Sequence, residues 1–255
     1  MIFAMSDIHG YLAIFKENLE NLDLSGDNRL ILLGDYIDRG PQSGQTLRYI
    51  YDLQQKHGED KIIVLRGNHE EDFLEWIDTV THPDGISFNN WLAYDRGLTT
   101  FRTLVTAEQL EEYMRFAAAA AKGNDFITKL NEKAVQMILE TSGDLVKWLK
   151  NLPYYYKTET QIFVHAGVDE EAEDLWEIGT PSYMFISKSF DMIGTGEFCM
   201  DIIAGHIPTS RISGDRDFHG IYHDGMSHYY IDGTVVVSGK IPVLSYDEKS
   251  GKYIY

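Results

Sequence analysis

The stretch KIIVLRGNHE, residues 61–70, is an apolar run that stops at a glycine and is followed by an amide and an imidazole side by side. A short apolar run bounded by glycine is typical of a strand that is buried on both faces. The acidic residues Glu70 and Glu71 are typical of the first turn of a helix. The stretch therefore predicts a strand, a sharp turn and a helix, with Asn68 and His69 at the tip of the strand.

Two earlier stretches of the chain end in the same way. Residues 2–5 form a short apolar run before Ser6 and Asp7, and residues 29–35, RLILLGD, form a second one that ends in Gly-Asp. Apolar residues at helical spacing follow each run, over residues 11–22 and 45–58. The order strand, helix, strand, helix, strand predicts an α/β fold with parallel central strands.

The rest of the chain predicts helices and then more strands. Helical patterns dominate residues 71 to about 150, with a turn at residues 83–85, and no linker bounds them. Residues 161–168 and 201–209 indicate strands, and residues 228–246 indicate two or three antiparallel strands. We therefore expect a single domain over residues 1–255, with two sheets and a helical insertion or cap at about residues 71–150.

The composition indicates an acidic protein of a reducing compartment. The chain has 22 Lys and Arg residues against 40 Asp and Glu residues, a formal net charge of −18. Such a surface repels nucleic acid, so we expect no nucleic-acid partner. The single cysteine, Cys199, allows no intrachain disulfide. The start does not resemble a signal peptide, and no apolar run approaches the roughly 20 residues of a membrane helix. We expect a cytoplasmic protein with no membrane partner, and its oligomeric state stays open.

Side chains that bind metals follow five of the apolar runs. In α/β folds ligands bind at this edge of the sheet. Each residue alone could be a helix cap, a turn residue or a buried polar group, but their joint order along the chain favours a metal site. Six oxygen and imidazole donors are too many for one closed zinc site, and they fit two divalent ions that share a carboxylate. These residues are Asp7, His9, Asp35, Asn68, His165 and His206.

The motifs around these residues resemble those of the calcineurin-like metallophosphoesterases, and in particular the bacterial serine/threonine phosphoprotein phosphatases. The resemblance runs from Ser6 to the C-terminal strands and is weakest over residues 75–145. It implies two packed mixed β-sheets flanked by helices, an α/β/β/α sandwich, with a dinuclear metal site at the sheet edge. The motifs are SDIHG, GDYIDRG, RGNHE, FVHAG and AGHIPT, which start at residues 6, 34, 66, 163 and 204.

The resemblance also implies how the ligands divide between the ions. It assigns Asp7, His9 and His206 to the first metal, Asn68 and His165 to the second, and a bridging role to Asp35. The usual ion of bacterial members is manganese, with iron or zinc as alternatives.

Three neighbouring residues are expected to act on the substrate. Protonated His69 can donate to the departing oxygen as a general acid, and Asp38 would orient its ring. Arg39 would bind two phosphate oxygens, and the NH₂ group of Asn68 would donate to a third. We hypothesise that a hydroxide that bridges the metals attacks phosphorus directly, without a phosphoenzyme, so that Cys199 takes no part.

Residues 184–190, MFISKSF, depart from the family pattern. Many bacterial relatives carry a second phosphate-binding arginine where this chain has Ser187. The neighbouring Lys188 could replace it as a point charge, although a lysine cannot bind phosphate in a bidentate fork. The alternative is a solvated surface lysine. Residues 218–230, with His219, His223 and His228, are expected to form a loop or hairpin.

The leading hypothesis for function is a metal-dependent phosphomonoesterase that dephosphorylates phosphoserine and phosphothreonine in proteins. The IDRG and GNHE sequences favour it over a dinucleoside polyphosphate hydrolase, the first alternative. A phosphatase of small metabolites is also open. A non-catalytic phosphate-sensing or scaffold protein is the alternative from another class, and the complete set of ligands argues against it.

Overall fold

The computed structural model describes residues 1–82, 90–93, 95–120, 125–194 and 196–255. Over these ranges the chain forms two five-stranded sheets with helices against their outer faces. The strands are β1 Ile2–Met5, β2 Arg29–Leu32, β3 Ile62–Val64, β4 Tyr155–Lys157, β5 Gln161–Val164, β6 Asp201–Pro208, β7 Tyr222–His223, β8 His228–Asp232, β9 Leu244–Asp247 and β10 Lys252–Ile254. The helices are α1 Leu12–Glu20, α2 Ser43–His57, α3 Asn68–Thr81, α4 Asp95–Leu104, α5 Ala107–Ala120, α6 Phe126–Leu149, α7 Trp176–Gly179, α8 Ser182–Ser187, α9 Thr209–Ser213 and α10 Val235–Ser238. Short 3-10 helices cover Trp91–Ala93, Glu170–Leu175 and Phe190–Met192.

Both sheets are mixed. The first has the strand order β10-β9-β1-β2-β3, in which β1, β2 and β3 run parallel and β9 is antiparallel to β1. The second has the order β4-β5-β6-β8-β7, in which β5, β6 and β8 run parallel. Parallel strands end at the same edge of a sheet, so the residues after β1, β2 and β3 lie side by side, as do those after β5 and β6.

The alternation of side chains along the strands explains why two sheets pack together. In β1, Phe3 and Met5 belong to the core under the helices, whereas Ile2 and Ala4 belong to the core between the sheets. Successive strand residues point to opposite faces, so a strand that is apolar throughout must be covered on both. In the second sheet, Phe163 of β5 completes the core between the sheets. Its neighbours Ile162 and Val164 face the outer core with α7 and α8.

The helices α3–α6, which we call the helical segment, share one core with α1 and α2. Trp148 Nε1 of α6 donates to Gln54 Oε1 of α2 at 2.8 Å. Trp76 Nε1 of α3 donates to Asn131 Oδ1 of α6 at 2.7 Å. The turn expected at residues 83–85 lies outside the described residues. Within the described ranges, no helix combines the length and apolar character needed to span a lipid bilayer.

The structure confirms the two mixed sheets flanked by helices, but it corrects the reading of residues 228–246. Both strands of that stretch have an antiparallel neighbour, but β8 also pairs parallel with β6, and β9 pairs with β1 and β10 rather than with β8. Val235–Ser238 is a helical turn, and β9 crosses to the first sheet. The hairpin expected over residues 218–230 is confirmed as β7 and β8. The direction of a strand depends on distant partners, which a local pattern of apolar residues does not contain.

Candidate metal centre

Six polar side chains converge where the parallel strands of both sheets end. Four of them come from the first sheet and two from the second. They are Asp7 and His9 after β1, Asp35 after β2, Asn68 at the start of α3, His165 after β5 and His206 within β6.

Asp35 lies at the centre of this group. Its Oδ1 is 3.4 Å from Nε2 of His165, and its Oδ2 is 3.6 Å from Nε2 of His9. Ligand atoms of Asp7, Asp35 and His165 lie within 4.8 Å of one another. Those of His9, Asp35 and His69 do so as well. The two carboxylate oxygens of Asp35 therefore face different sets of donors, as those of a bridging carboxylate would.

His206 lies with the residues expected around the second metal rather than the first. Its Nδ1 is 3.0 Å from Oδ1 of Asn68, and the centroids of its ring and that of His165 are 5.2 Å apart. Only its backbone N–H reaches the first group, donating to Asp7 Oδ2 at 3.0 Å. His206 also lies inside β6, where the register with β8 shifts, and not beyond the end of the strand. A positive φ of 63° at this irregularity sets the direction of its ring.

The hydrogen bonds of His9 and His165 with backbone carbonyls use only Nδ1 of each ring, and Nε2 of His165 lies 3.0 Å from Oδ1 of Asn68. Nδ1 of His9 donates to the carbonyl of Ile37 at 2.8 Å, and Nδ1 of His165 donates to that of Leu33 at 3.0 Å. A carbonyl oxygen only accepts, so Nε2 of each ring carries a lone pair. Among the described residues, buried Nε2 of His9 has no hydrogen-bonding partner. These nitrogen and oxygen donors fit a divalent cation.

The charges of the site are unbalanced without a cation. Burial raises the pKa of Asp7 well above its usual value, and the nearby carboxylates of Asp232 and Asp35 raise it further. Burial lowers the pKa of His9 to about 3. Burial opposes ionisation of Asp35, but the surrounding imidazoles hold its pKa well below the usual range. Buried carboxylates this close together are stabilised by a positive partner, and a divalent metal would supply that charge.

Two glycines allow the loops to approach closely. A β-carbon at Gly67 would lie 2.3 Å from Oδ1 of Asp35, and one at Gly205 would lie 2.3 Å from Oδ2 of Asp7. Any larger side chain at either position would therefore displace a carboxylate of the site.

Backbone strain is concentrated in the same place. Among the described residues, eight non-glycine residues have a positive φ, and six of them are site residues. This left-handed conformation is unfavourable for residues with a β-carbon and is often found where function fixes the geometry. The six are Asp7, His9, Asp35, Asp38, Arg39 and His206, with φ between 45° and 67°.

Glu70 holds the Asp35 loop, a role that our sequence reading missed. Its carboxylate is fully buried and accepts from the backbone N–H groups of Asp35 and Tyr36 at 2.9 and 2.8 Å. It also accepts from those of Ile37 and Gly67 at 3.2 and 3.1 Å. The bond to Gly67 is half of a capping box, in which the third residue of a helix bonds back to the N-cap. A glutamate at the third position of the predicted helix is the feature of the sequence that could have indicated this role.

The expected acid pair is in contact. Nδ1 of His69 lies 2.7 Å from Oδ2 of Asp38, and its Nε2 lies 3.2 Å from Nη2 of Arg39. Burial lowers the pKa of His69, but the charges of Asp35 and Asp38 outweigh it, so the pKa is raised overall. A guanidinium only donates, so Nε2 of His69 accepts from Arg39 in this arrangement.

Lys188 belongs to a different cluster. Its ammonium group donates to Glu170 Oε1 at 2.6 Å and to the carbonyl of Val168 at 2.8 Å. Glu170 also pairs with His228, whose other ring nitrogen lies 2.9 Å from Asp224. Lys188 is only 5% exposed, so the alternative of a solvated surface lysine is wrong. The described contacts of Lys188 are with this cluster and not with the six converging residues, and its role towards phosphate stays a prediction.

Comparisons with known proteins give one family and several relatives. The sequence model described as calcineurin-like phosphoesterase matches residues 1–239. A symmetrical bis(5'-nucleosyl)-tetraphosphatase of Chromobacterium violaceum is 27% identical over 156 residues, covering 51% of this chain and 54% of that protein. A Caenorhabditis elegans protein named as a candidate serine/threonine-protein phosphatase is 39% identical over 72 residues, covering 27% of this chain and 19% of that protein. The chain spans about half or less of the length of the first curated relatives that it matches, from 19% to 54%.

A solved structure has a similar fold. A candidate diadenosine tetraphosphatase superposes with a TM-score of 0.54 at 14% identity, covering 99% of this chain and 91% of that chain. At such low identity the likeness is one of fold.

Proposed function

The chain belongs to the calcineurin-like phosphoesterase family, and from that premise we propose that it is a metal-dependent phosphomonoesterase acting on phosphoserine and phosphothreonine in proteins. The observation that carries the proposal is the position of the acid pair. Nε2 of His69 lies 3.8 Å from Oδ2 of Asp35, the carboxylate that both sets of donors share. A proton donor is thus next to the place where a phosphoryl group would bind.

We propose two divalent cations as cofactors, with manganese as the first choice and iron or zinc as alternatives. When bound, such cations polarise phosphoryl oxygens and make water a stronger nucleophile. The contacts of His206 with Asn68 and His165 support placing all three around one cation. Asp7 and His9 would hold the other, with Asp35 shared.

The remaining residues of the site would bind the phosphate and transfer a proton. The NH₂ group of Asn68 and the fork of Arg39 would donate to phosphoryl oxygens. Arg39 donates to Nε2 of His69 in this structure, so this hydrogen bond must break before Nε2 can carry a proton. Nε2 is then free to carry a proton to the departing oxygen, while Asp38 holds the opposite nitrogen.

A dinucleoside polyphosphate hydrolase is the second candidate. The observation that favours it is the Chromobacterium violaceum relative, named as a symmetrical bis(5'-nucleosyl)-tetraphosphatase, which matches 51% of this chain. The candidate protein phosphatase from Caenorhabditis elegans matches a shorter part, 27%. The IDRG and GNHE sequences support the protein substrate, and a small phosphorylated metabolite is a further possibility.

Two assays test the proposal. Hydrolysis of p-nitrophenyl phosphate should appear with manganese and disappear with a chelator, and Asp35→Asn should lose it. Phosphoserine and phosphothreonine peptides are then compared with dinucleoside tetraphosphates at equal concentration. Faster turnover of the peptides supports a protein phosphatase, and faster turnover of the dinucleotides supports the second candidate. Binding of phosphate without turnover of any substrate would favour a scaffold protein instead.

The cytoplasmic location and the absence of a nucleic-acid partner stay predictions. The single domain over residues 1–255, with an insertion at about residues 71–150, is likewise proposed. The core that the helical segment shares with α1 and α2 supports it.

A further inference from the structure

Asp38 accepts side-chain hydrogen bonds from two residues besides its partner His69. It is only 2% exposed, and its Oδ2 accepts from Nδ1 of His69 at 2.7 Å and from Nε1 of Trp91 at 3.2 Å. Its Oδ1 accepts from the hydroxyl of Thr100 at 2.5 Å. Both carboxylate oxygens are therefore bound, and the plane of the carboxylate is fixed.

The hydroxyl of Thr100 also fixes the backbone beneath this carboxylate. The N–H of Asp38 lies 3.1 Å from Thr100 Oγ1 and 3.0 Å from Ser43 Oγ. Asp38 has a φ of 67°, so its backbone needs such support to stay in the left-handed conformation. Thr100 thus holds both the backbone N–H and the side-chain carboxylate of Asp38.

Both donors lie beyond α3, in a part of the chain that carries none of the five motifs. Thr100 lies in α4 with no exposed surface, and Trp91 lies in the short 3-10 helix before it. The ring of Trp91 packs against Phe73 and Trp76 of α3, with centroids 4.9 and 5.0 Å apart. Since α3 also carries His69, the indole is rigidly placed relative to the imidazole that it helps to orient.

We propose that Thr100 and Trp91 are positioning residues for proton transfer, holding Asp38 so that Nε2 of His69 points at the leaving group. This inference rests on the proposed function, because it requires His69 to be the proton donor. Neither residue contacts phosphate in this scheme. Their loss should therefore slow the departure of poor leaving groups and leave substrate binding unchanged.

Leaving-group dependence separates this role from a merely structural one. p-Nitrophenolate departs readily without a proton, whereas phenolate is more basic and needs the acid. A general acid accelerates the reaction by about 10²–10⁴-fold. An acid whose ring is no longer held in one orientation should lose part of this acceleration. For Thr100→Val we expect kcat for phenyl phosphate to fall about 10–100-fold. We expect kcat for p-nitrophenyl phosphate to fall only a few-fold and KM to stay the same for both substrates.

Three further variants complete the test. Thr100→Ser keeps the hydroxyl, so the ratio of kcat for phenyl phosphate to kcat for p-nitrophenyl phosphate should stay at the wild-type value. Trp91→Phe removes the indole N–H and should change the ratio in the same direction. Trp148→Phe is the matched control, because it also removes one buried indole N–H, whose partner is Gln54 rather than Asp38. It should leave the ratio at the wild-type value even if it lowers the melting temperature.

The outcomes distinguish the inference from the proposed function. Equal losses for both aryl phosphates, or no loss in Thr100→Val and Trp91→Phe, would overturn the positioning role while the wild type stays an active phosphatase. A wild type that hydrolyses neither aryl phosphate with manganese would overturn the proposed function, and this inference with it. A Thr100→Val protein that fails to fold leaves Trp91→Phe to decide.

Discussion

The ring of His69 differs from those of His9 and His165, because its Nδ1 faces a carboxylate and not a backbone carbonyl. A carboxylate partner favours the protonated ring. His69→Ala should retain manganese, measured by calorimetry, and lower kcat for a phosphoserine peptide by about 10²–10⁴-fold. Unchanged turnover of that peptide would remove His69 from the reaction.

Glu70 is the residue whose loss should most disturb the geometry of the site. A glutamine offers one acceptor oxygen where the carboxylate offers two, and its NH₂ group would face backbone donors. Glu70→Gln should lower the free energy of unfolding by about 1–3 kcal/mol and weaken manganese binding. Urea denaturation and calorimetry measure the two effects. Glu71→Gln is the control, since Glu71 pairs with Arg66 near the surface; equal effects of both substitutions would contradict the role of Glu70.

Motifs in the sequence lead to the six converging residues because each follows an apolar run within a few positions. They do not lead to Thr100, which is 62 positions from Asp38 and lies in a helical stretch without a motif. Nor do they place His206 beside Asn68 and His165, because His206 lies where the register between β6 and β8 shifts. Local chemistry is visible in a sequence, whereas contacts between distant segments are not.

The strands and helices of the first half are predicted well, because β1–β3 are apolar throughout and α1 and α2 have regular spacing. The C-terminal part was harder to predict. The run Val235–Ser238 is rich in β-branched residues, yet it forms a helical turn between two glycines. Tertiary packing therefore outweighs the strand propensity of the three valines in this run.

The cluster of Lys188, Glu170, His228 and Asp224 connects α8 to β8 and gives a prediction for stability. Burial opposes the charge on His228, but its bonds to Glu170 and Asp224 raise its pKa above the usual value. A raised pKa means that the charged ring stabilises the fold fully below its unfolded pKa. This contribution is lost as the pH rises through the folded pKa.

As the pH rises above the usual imidazole pKa of about 6.5, the free energy of unfolding of the wild type should therefore fall more than that of His228→Gln. Urea denaturation at several pH values, without metal, gives both curves. Parallel curves for the two proteins would contradict a contribution of charged His228 to stability.

At the scale of the whole molecule, the site exists only when both sheets are folded and packed, since its donors come from each. Metal binding should therefore stabilise the entire fold. Manganese at about 100 times its dissociation constant should add about 2.7 kcal/mol to the free energy of unfolding. Denaturation with and without manganese measures the difference, and the variant Asp35→Asn should show much less of it. Tight binding without any change in stability would mean that the unfolded chain binds the ion equally well.

The left-handed backbone at six site residues has a consequence for laboratory evolution. Each such residue costs of the order of 1–3 kcal/mol relative to an unstrained one, and glycine escapes this penalty. A library selected only for heat tolerance should accumulate glycine or asparagine at those positions and produce robust but inactive proteins. Selection for turnover would have to retain the unfavourable residues and seek its gains in stability elsewhere in the chain.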